Sequence, residues 1–131
     1  MWTLEGLALR LSSDAVLRAL PQLRDLLRRF EAADTARVAR DLDNAWHASL
    51  LCACPNRRLL ELISKLKRIT QRYWVVYMRD VLPIAHSAAQ HGEVLEALAA
   101  GDMTIAAARL EAHWEAGMVA LLERMSPASA R

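Results

Sequence analysis

Apolar residues recur every three or four positions along most of this chain. That is the signature of helices with one buried face; no segment alternates at period two long enough to be a strand. A first segment runs from about Leu4 to Leu20, with a weak point at Ser12 and Ser13. Pro21 suits the opening turn of a second helix reaching about Ala33, with Leu23, Leu26, Leu27 and Phe30 on its apolar face. Asp34 or Thr35 can cap a third, about Ala36 to Leu51. Its stripe is Ala39, Leu42, Asp43, Trp46, His47 and Leu50, so two polar residues sit inside the apolar face. Pro55 and Asn56 end that helix and start the longest periodic stretch, Arg57 to Val81. There Leu59, Leu62, Ile63, Leu66, Ile69, Tyr73, Val76 and Tyr77 keep the spacing of a buried face.

Pro83 opens a fifth helix with Ile84, Ala88, His91, Leu95 and Leu98 inward, and Gly101 is a C-terminal stop. Asp102 caps the last helix, whose stripe is Ala106, Leu110, His113, Trp114, Gly117, Met118, Leu121 and Met125. The tail from Ser126 to Arg131 is mostly small and polar and reads as frayed. The pattern predicts an all-α protein of about six helices. With no internal repeat and no linker, residues 1–131 form one domain.

Composition narrows the class. Hydrophobic residues make up 54% and charged residues 24%, the balance of a globular protein with a substantial core. Seventeen basic and fifteen acidic side chains leave a net charge of +2, a weak footprint for nucleic acid. No apolar run approaches the roughly 20 residues of a membrane span, and no signal segment opens the chain. Cys52 and Cys54 are the only cysteines; their spacing is not a zinc-finger pattern and makes no disulfide framework. They read as a pair of small, reduced core residues of a cytoplasmic protein.

The chemistry concentrates in four residues. Asp43 and His47 are four apart and project from one helix face. His91 and His113 fall on the apolar stripes of two other helices. Three imidazoles and a carboxylate inside a bundle are costly to bury without partners. A divalent metal satisfies all four at once, and the donor set suits zinc first, with nickel, manganese or iron(II) as alternatives. The competing reading is a structural bundle with four hydrogen-bonded polar core groups. His86, about 140° around its helix from His91, faces elsewhere and reads as a surface residue. Arg57, Arg58, Lys65, Lys67, Arg68 and Arg72 make the long helix basic, which reads first as a solvated face. Glu93, Glu96 and Glu111 read as outward, and no glycine-rich phosphate loop or nucleophile elbow is present.

The spaced ligands sit in a recognisable context. D-N-A-W-H at Asp43 to His47 resembles the D-x-x-F/W-H signature of the FCD domain, the effector-binding domain of FadR-type GntR transcriptional regulators. H-G-E-V-L-E-A-L-A-A-G-D, His91 to Asp102, and A-A-A-R-L-E-A-H, Ala106 to His113, resemble that family's later motifs. Leu4 and Glu5 look like the L-E of its first helix, and Asn56 falls where the family usually carries an Asn before its long helix.

The resemblance implies an antiparallel bundle around a central metal and ligand cavity. It also implies a metal held by Asp43, His47, His91 and His113, and a small organic acid bound above it. Trp46, Asn56 and Trp114 are the weaker candidates for contact with that effector. The winged helix-turn-helix of such regulators is missing from this sequence, so no direct DNA binding by this chain is expected. Met1 stands where the family often has an arginine that holds the effector carboxylate. The expected protein is a homodimeric, non-enzymatic effector sensor with no membrane association. A metal-dependent hydrolase is the alternative from another class.

Overall fold

The computed structural model describes residues 2–12, 14–77 and 84–126. Among these are six α-helices and no strand: α1 Trp2–Leu11, α2 Leu20–Glu31, α3 Ala36–Leu50, α4 Arg57–Tyr77, α5 Ile84–Ala99 and α6 Met103–Met125. The all-α expectation holds. Ser13, Val81, Pro83, most of the tail, and the side chains of Val76 and Tyr77 lie outside the described residues.

The helix ends follow from local chemistry. Thr35, not Asp34, caps α3, its hydroxyl accepting from the Val38 amide at 3.2 Å. Asn56 accepts from the Leu59 amide at 3.1 Å, and Asp102 from Ile105 at 3.0 Å. Gly101 takes φ +77°, and the amides of Gly101 and Asp102 close back onto the Leu98 and Ala97 carbonyls, each at 2.9 Å. This double closure needs a left-handed residue, which glycine supplies without strain.

Several expectations change. The single opening helix is instead α1 followed by a 3-10 helix, Asp14–Ala19. α1 ends before Ser12, whose hydroxyl donates to the Ala8 carbonyl at 2.9 Å and competes with helix continuation. The second correction concerns α4. Leu59 and Ile63 are buried, but Leu62, Ile69 and Tyr73 are 44–47% exposed. The inward stripe passes instead through Ile63, Lys67, Thr70 and Trp74. Met125, expected inward on α6, is also exposed, and of the two cysteines expected in the core only Cys54 is buried, Cys52 being exposed in the turn after α3.

α1 packs chiefly on α6, α6 on α5, and α2 on both α3 and α5. The short connections between α2 and α3 and between α5 and α6 make those pairs antiparallel neighbours. Leu9, Val16, Leu23, Trp46, Leu50, Leu98 and Leu110 form the centre of the main core. At Gly6 the Glu111 side chain of α6 lies against the backbone of α1, and a Cβ there would overlap it. Among the described residues, the C-terminal half of α4 adds no buried side chain to that core and stands as one wall of a cleft.

Candidate metal centre

Asp43 and His47 from α3, His91 from α5 and His113 from α6 come together, each offering a ligand atom within 4.8 Å of the others. Asp43 Oδ1 lies 2.7 Å from His91 Nε2 and 3.5 Å from His47 Nε2. His47 and His91 are each 1% exposed, whereas the Asp43 side chain is 30% exposed. Four donors held about 2.1 Å from one ion lie roughly 3–4 Å from one another, so the group fits a single small cation after minor closure.

What stands behind the imidazoles strengthens this fit. His91 Nδ1 donates to the Ser87 carbonyl at 2.5 Å. His113 Nδ1 donates to Gln90 Oε1. His47 Nδ1 is 3.2 Å from Glu5 Oε2. Each ring therefore has an acceptor beside Nδ1, which leaves the Nε2 lone pair for a metal. Such outer partners fix the tautomer and orientation of metal-binding histidines. His47 carries the clearest orphan atoms: neither ring nitrogen makes a well-directed hydrogen bond, although the ring is buried. A buried polar atom in that condition is costly, and an ion at Nε2 removes the cost.

Glu5 is the residue that sequence reasoning passed over as part of the site. It is fully buried and receives three partners: His47, the Trp114 indole N–H and Lys67 Nζ at 3.0 Å. Burial alone would raise its carboxyl, but the charges and hydrogen bonds of His47 and Lys67 outweigh burial and bring it down to about 2. The available signal was its register, since Glu5, Ala8, Leu9 and Ser12 share one helix face and all are buried. Gln90 carried no such signal. Lys67 departs from the solvated face expected of the basic helix: its side chain is 15% exposed and its Nζ lies 5.5 Å above the Trp114 ring.

The other ionisable groups follow the same balance. Burial opposes charge on Asp43, yet His47 and His91 hold its carboxyl well below the usual range. Burial would lower His47, but Glu5 and then Asp43 raise it above the ordinary 6.5 against the opposing charge of Lys67. Burial, with His91 and His47 nearby, pushes His113 down to about 3.

A cleft of about 400 Å³ opens beside the centre, lined by residues of every helix except α1. Asp43 and His113 reach its surface; His47 and His91 lie behind them and do not. Trp114, Trp74, Phe30 and Ile84 supply apolar wall, and Lys67, Arg40, Gln71 and Gln90 supply polar groups. Of the weaker contact candidates, Trp114 lines the cleft. Trp46 is buried behind it against His47 and His91, with ring centroids at 5.0 and 4.0 Å. Asn56 is exposed at the start of α4, where it caps the helix. His86 is exposed but borders the cleft. Glu93 and Glu96 are exposed, while Glu111 is half-buried and pairs with Arg10 at 2.5 Å.

A family model described as the FCD domain matches residues 2–116. No curated protein and no solved structure matches the chain. No helix of the described residues is long and apolar enough to cross a membrane.

Proposed function

This chain belongs to the FCD domain family, and on that premise we propose that it is a metal-containing, small-carboxylate-sensing domain of a FadR-type GntR regulator. The FCD domain is the regulatory, effector-binding domain of GntR-type regulators, so the coarse role follows from membership. The finer reading rests on one observation: three histidines with Nδ1 beside separate acceptors gather around Asp43, His47 and His91 reaching it through Nε2. Asp43, His47, His91 and His113 would hold the ion, zinc in the first instance, and the bound ion would supply a Lewis-acid position that attracts a carboxylate oxygen.

The chain's own residues do the remaining work. Glu5 orients His47 and places its carboxylate against Lys67, so that cation is largely spent on the scaffold. The apolar wall excludes water from a ligand's body. Glu5 is ionised and engaged by three partners, which suits an orienting group better than a proton acceptor; that disfavours the hydrolase alternative. Turnover of a small ester that disappears in Asp43→Ala would reverse this ranking. Effector binding should depend on the metal. Calorimetry of small mono-, di- and tricarboxylates is expected to show binding to metal-loaded protein, with heats lost on chelation and in His113→Ala. Equal affinity in all three preparations refutes the reading.

We also propose a homodimer, joined through α4. Leu62, Ile69 and Tyr73 form an exposed apolar row on that helix, beside the inward stripe. A row of this kind on a soluble domain marks an association surface. Sedimentation should give a dimer at micromolar concentration and a monomer for the Leu62→Glu, Ile69→Glu double variant. A monomeric wild type sinks this part.

A further inference from the structure

The geometry points to Arg40 as the residue that receives the ligand's carboxylate, and to a monocarboxylic acid with an apolar, ring-sized body as the ligand class. This rests on the effector-binding reading above and goes beyond it in naming the contact and the chemistry.

Arg40 lies three residues before Asp43 on α3, lines the cleft and is half-buried. Among the described residues it makes no hydrogen bond or ion pair. Lys67, the other cleft-lining cation with a long side chain, is already paired with Glu5 at 3.0 Å. A guanidinium partly withdrawn from water and lacking an acceptor is poised for a planar anion, which it can hold with two parallel hydrogen bonds. Side chains three apart on a helix are neighbours, about 5–6 Å between Cβ atoms. One carboxylate can therefore meet Arg40 and the Asp43 end of the metal centre together.

The rest of the lining argues against more charge on the ligand. Its polar side chains are largely satisfied by the protein itself. Gln71 donates to Asn44 at 2.6 Å, Thr70 to the Leu66 carbonyl at 2.9 Å, and Gln90 is taken by His113. Apart from Ser87 and the exposed His86 on α5, what remains is apolar: Phe30, Ile84, Trp74, Trp114 and small residues of α3 and α6. Gly117 keeps this wall open, since a Cβ there would come 3.4 Å from the Trp74 ring. A second carboxylate deep in the cleft would lose its water and gain no partner, a cost that an aromatic or branched body avoids.

The test uses phenylacetate, its uncharged amide and succinate as probes. Each is titrated into metal-loaded wild type, Arg40→Ala and Arg40→Lys, with metal content measured for each protein. Calorimetry is paired with tryptophan fluorescence, because Trp74 and Trp114 line the cleft. Wild type is expected to prefer phenylacetate to succinate by about 10-fold or more, the value of a charge left unpaired on burial. Arg40→Ala should weaken phenylacetate about 10- to 100-fold, the worth of a charge-assisted hydrogen bond. It should leave the amide and the metal content unchanged, and Arg40→Lys should recover part of the loss. Unaltered phenylacetate affinity in Arg40→Ala, or tighter succinate binding by wild type, overturns the proposal while leaving the effector reading intact. Wild type that binds no carboxylate at all overturns both.

Discussion

Loading the purified chain with a divalent ion at a hundredfold excess over its Kd should raise the melting temperature by about 10 °C, and His91→Ala should abolish most of that rise. Ligand linkage sets the size: such an excess is worth about 2.7 kcal/mol, and each kcal/mol moves a domain of this length by several degrees. His91 is the choice because both its nitrogens are committed, Nδ1 to the Ser87 carbonyl and Nε2 toward Asp43. The readout is the difference between loaded and chelated protein, since His91→Ala also removes packing against Phe30 and Trp46. Outer partners of metal ligands are worth about 10- to 100-fold in affinity, and losing a direct ligand should exceed that. An unchanged melting temperature on metal addition to wild type would sink the metal centre.

The same experiment has a pH signature. His47 is raised above 6.5, so its contribution to metal-free stability is complete below 6.5 and is lost as pH rises through the raised value. His113 is depressed to about 3, so its contribution is present above 6.5 and is lost as pH falls from 6.5 toward 3. Metal ligation needs neutral imidazole. Near neutral pH, uptake of the ion should therefore release a proton from His47 and none from His113, and affinity should fall on acidification. Proton release measured in weak buffer checks this; release that rises with pH contradicts it.

Glu5→Ala is expected to be the most destabilising polar substitution in the chain. Removing one partner of a buried charge pair costs about 3–5 kcal/mol, against a total of about 5–15 kcal/mol for a typical domain. Here the deletion leaves the mostly buried Lys67 ammonium, the Trp114 indole N–H and His47 Nδ1 without their shared acceptor. Metal affinity should fall about 10- to 100-fold with it, because His47 loses the group that orients it. Glu5→Gln keeps the shape and one acceptor and should fall between. The sign in pH is fixed by the lowered carboxyl: its contribution is present above 4.5 and is lost as pH falls toward 2. Wild type and Glu5→Ala should therefore converge in stability at strongly acid pH. Chemical denaturation across that range measures it, and a variant as stable as wild type at neutral pH would exclude the role assigned to Glu5.

The amino-acid order alone marked out most of the helices and the four candidate ligands. Thr35, Asn56, Gly101 and Asp102 act through amides and carbonyls within five residues of themselves, so their roles are readable locally. Asp43, His47, His91 and His113 stood out because each is a polar residue on an apolar stripe, and a stripe reports which face is buried. It does not report which helix that face meets. The pairing of Glu5 with Trp114 spans 109 positions and that of Gln90 with His113 spans 23, so neither acceptor could be placed before the helices were packed. The same reason explains α4, where periodicity pointed to the apolar row through Leu62, Ile69 and Tyr73. Contact with α1 and α6 instead turned Ile63 and Lys67 in and left Leu62, Ile69 and Tyr73 out. Which side chains are candidate ligands was local information; what holds them in place was decided by tertiary packing, because hydrogen bonds between helices depend on proximity in space that spacing along the chain does not encode.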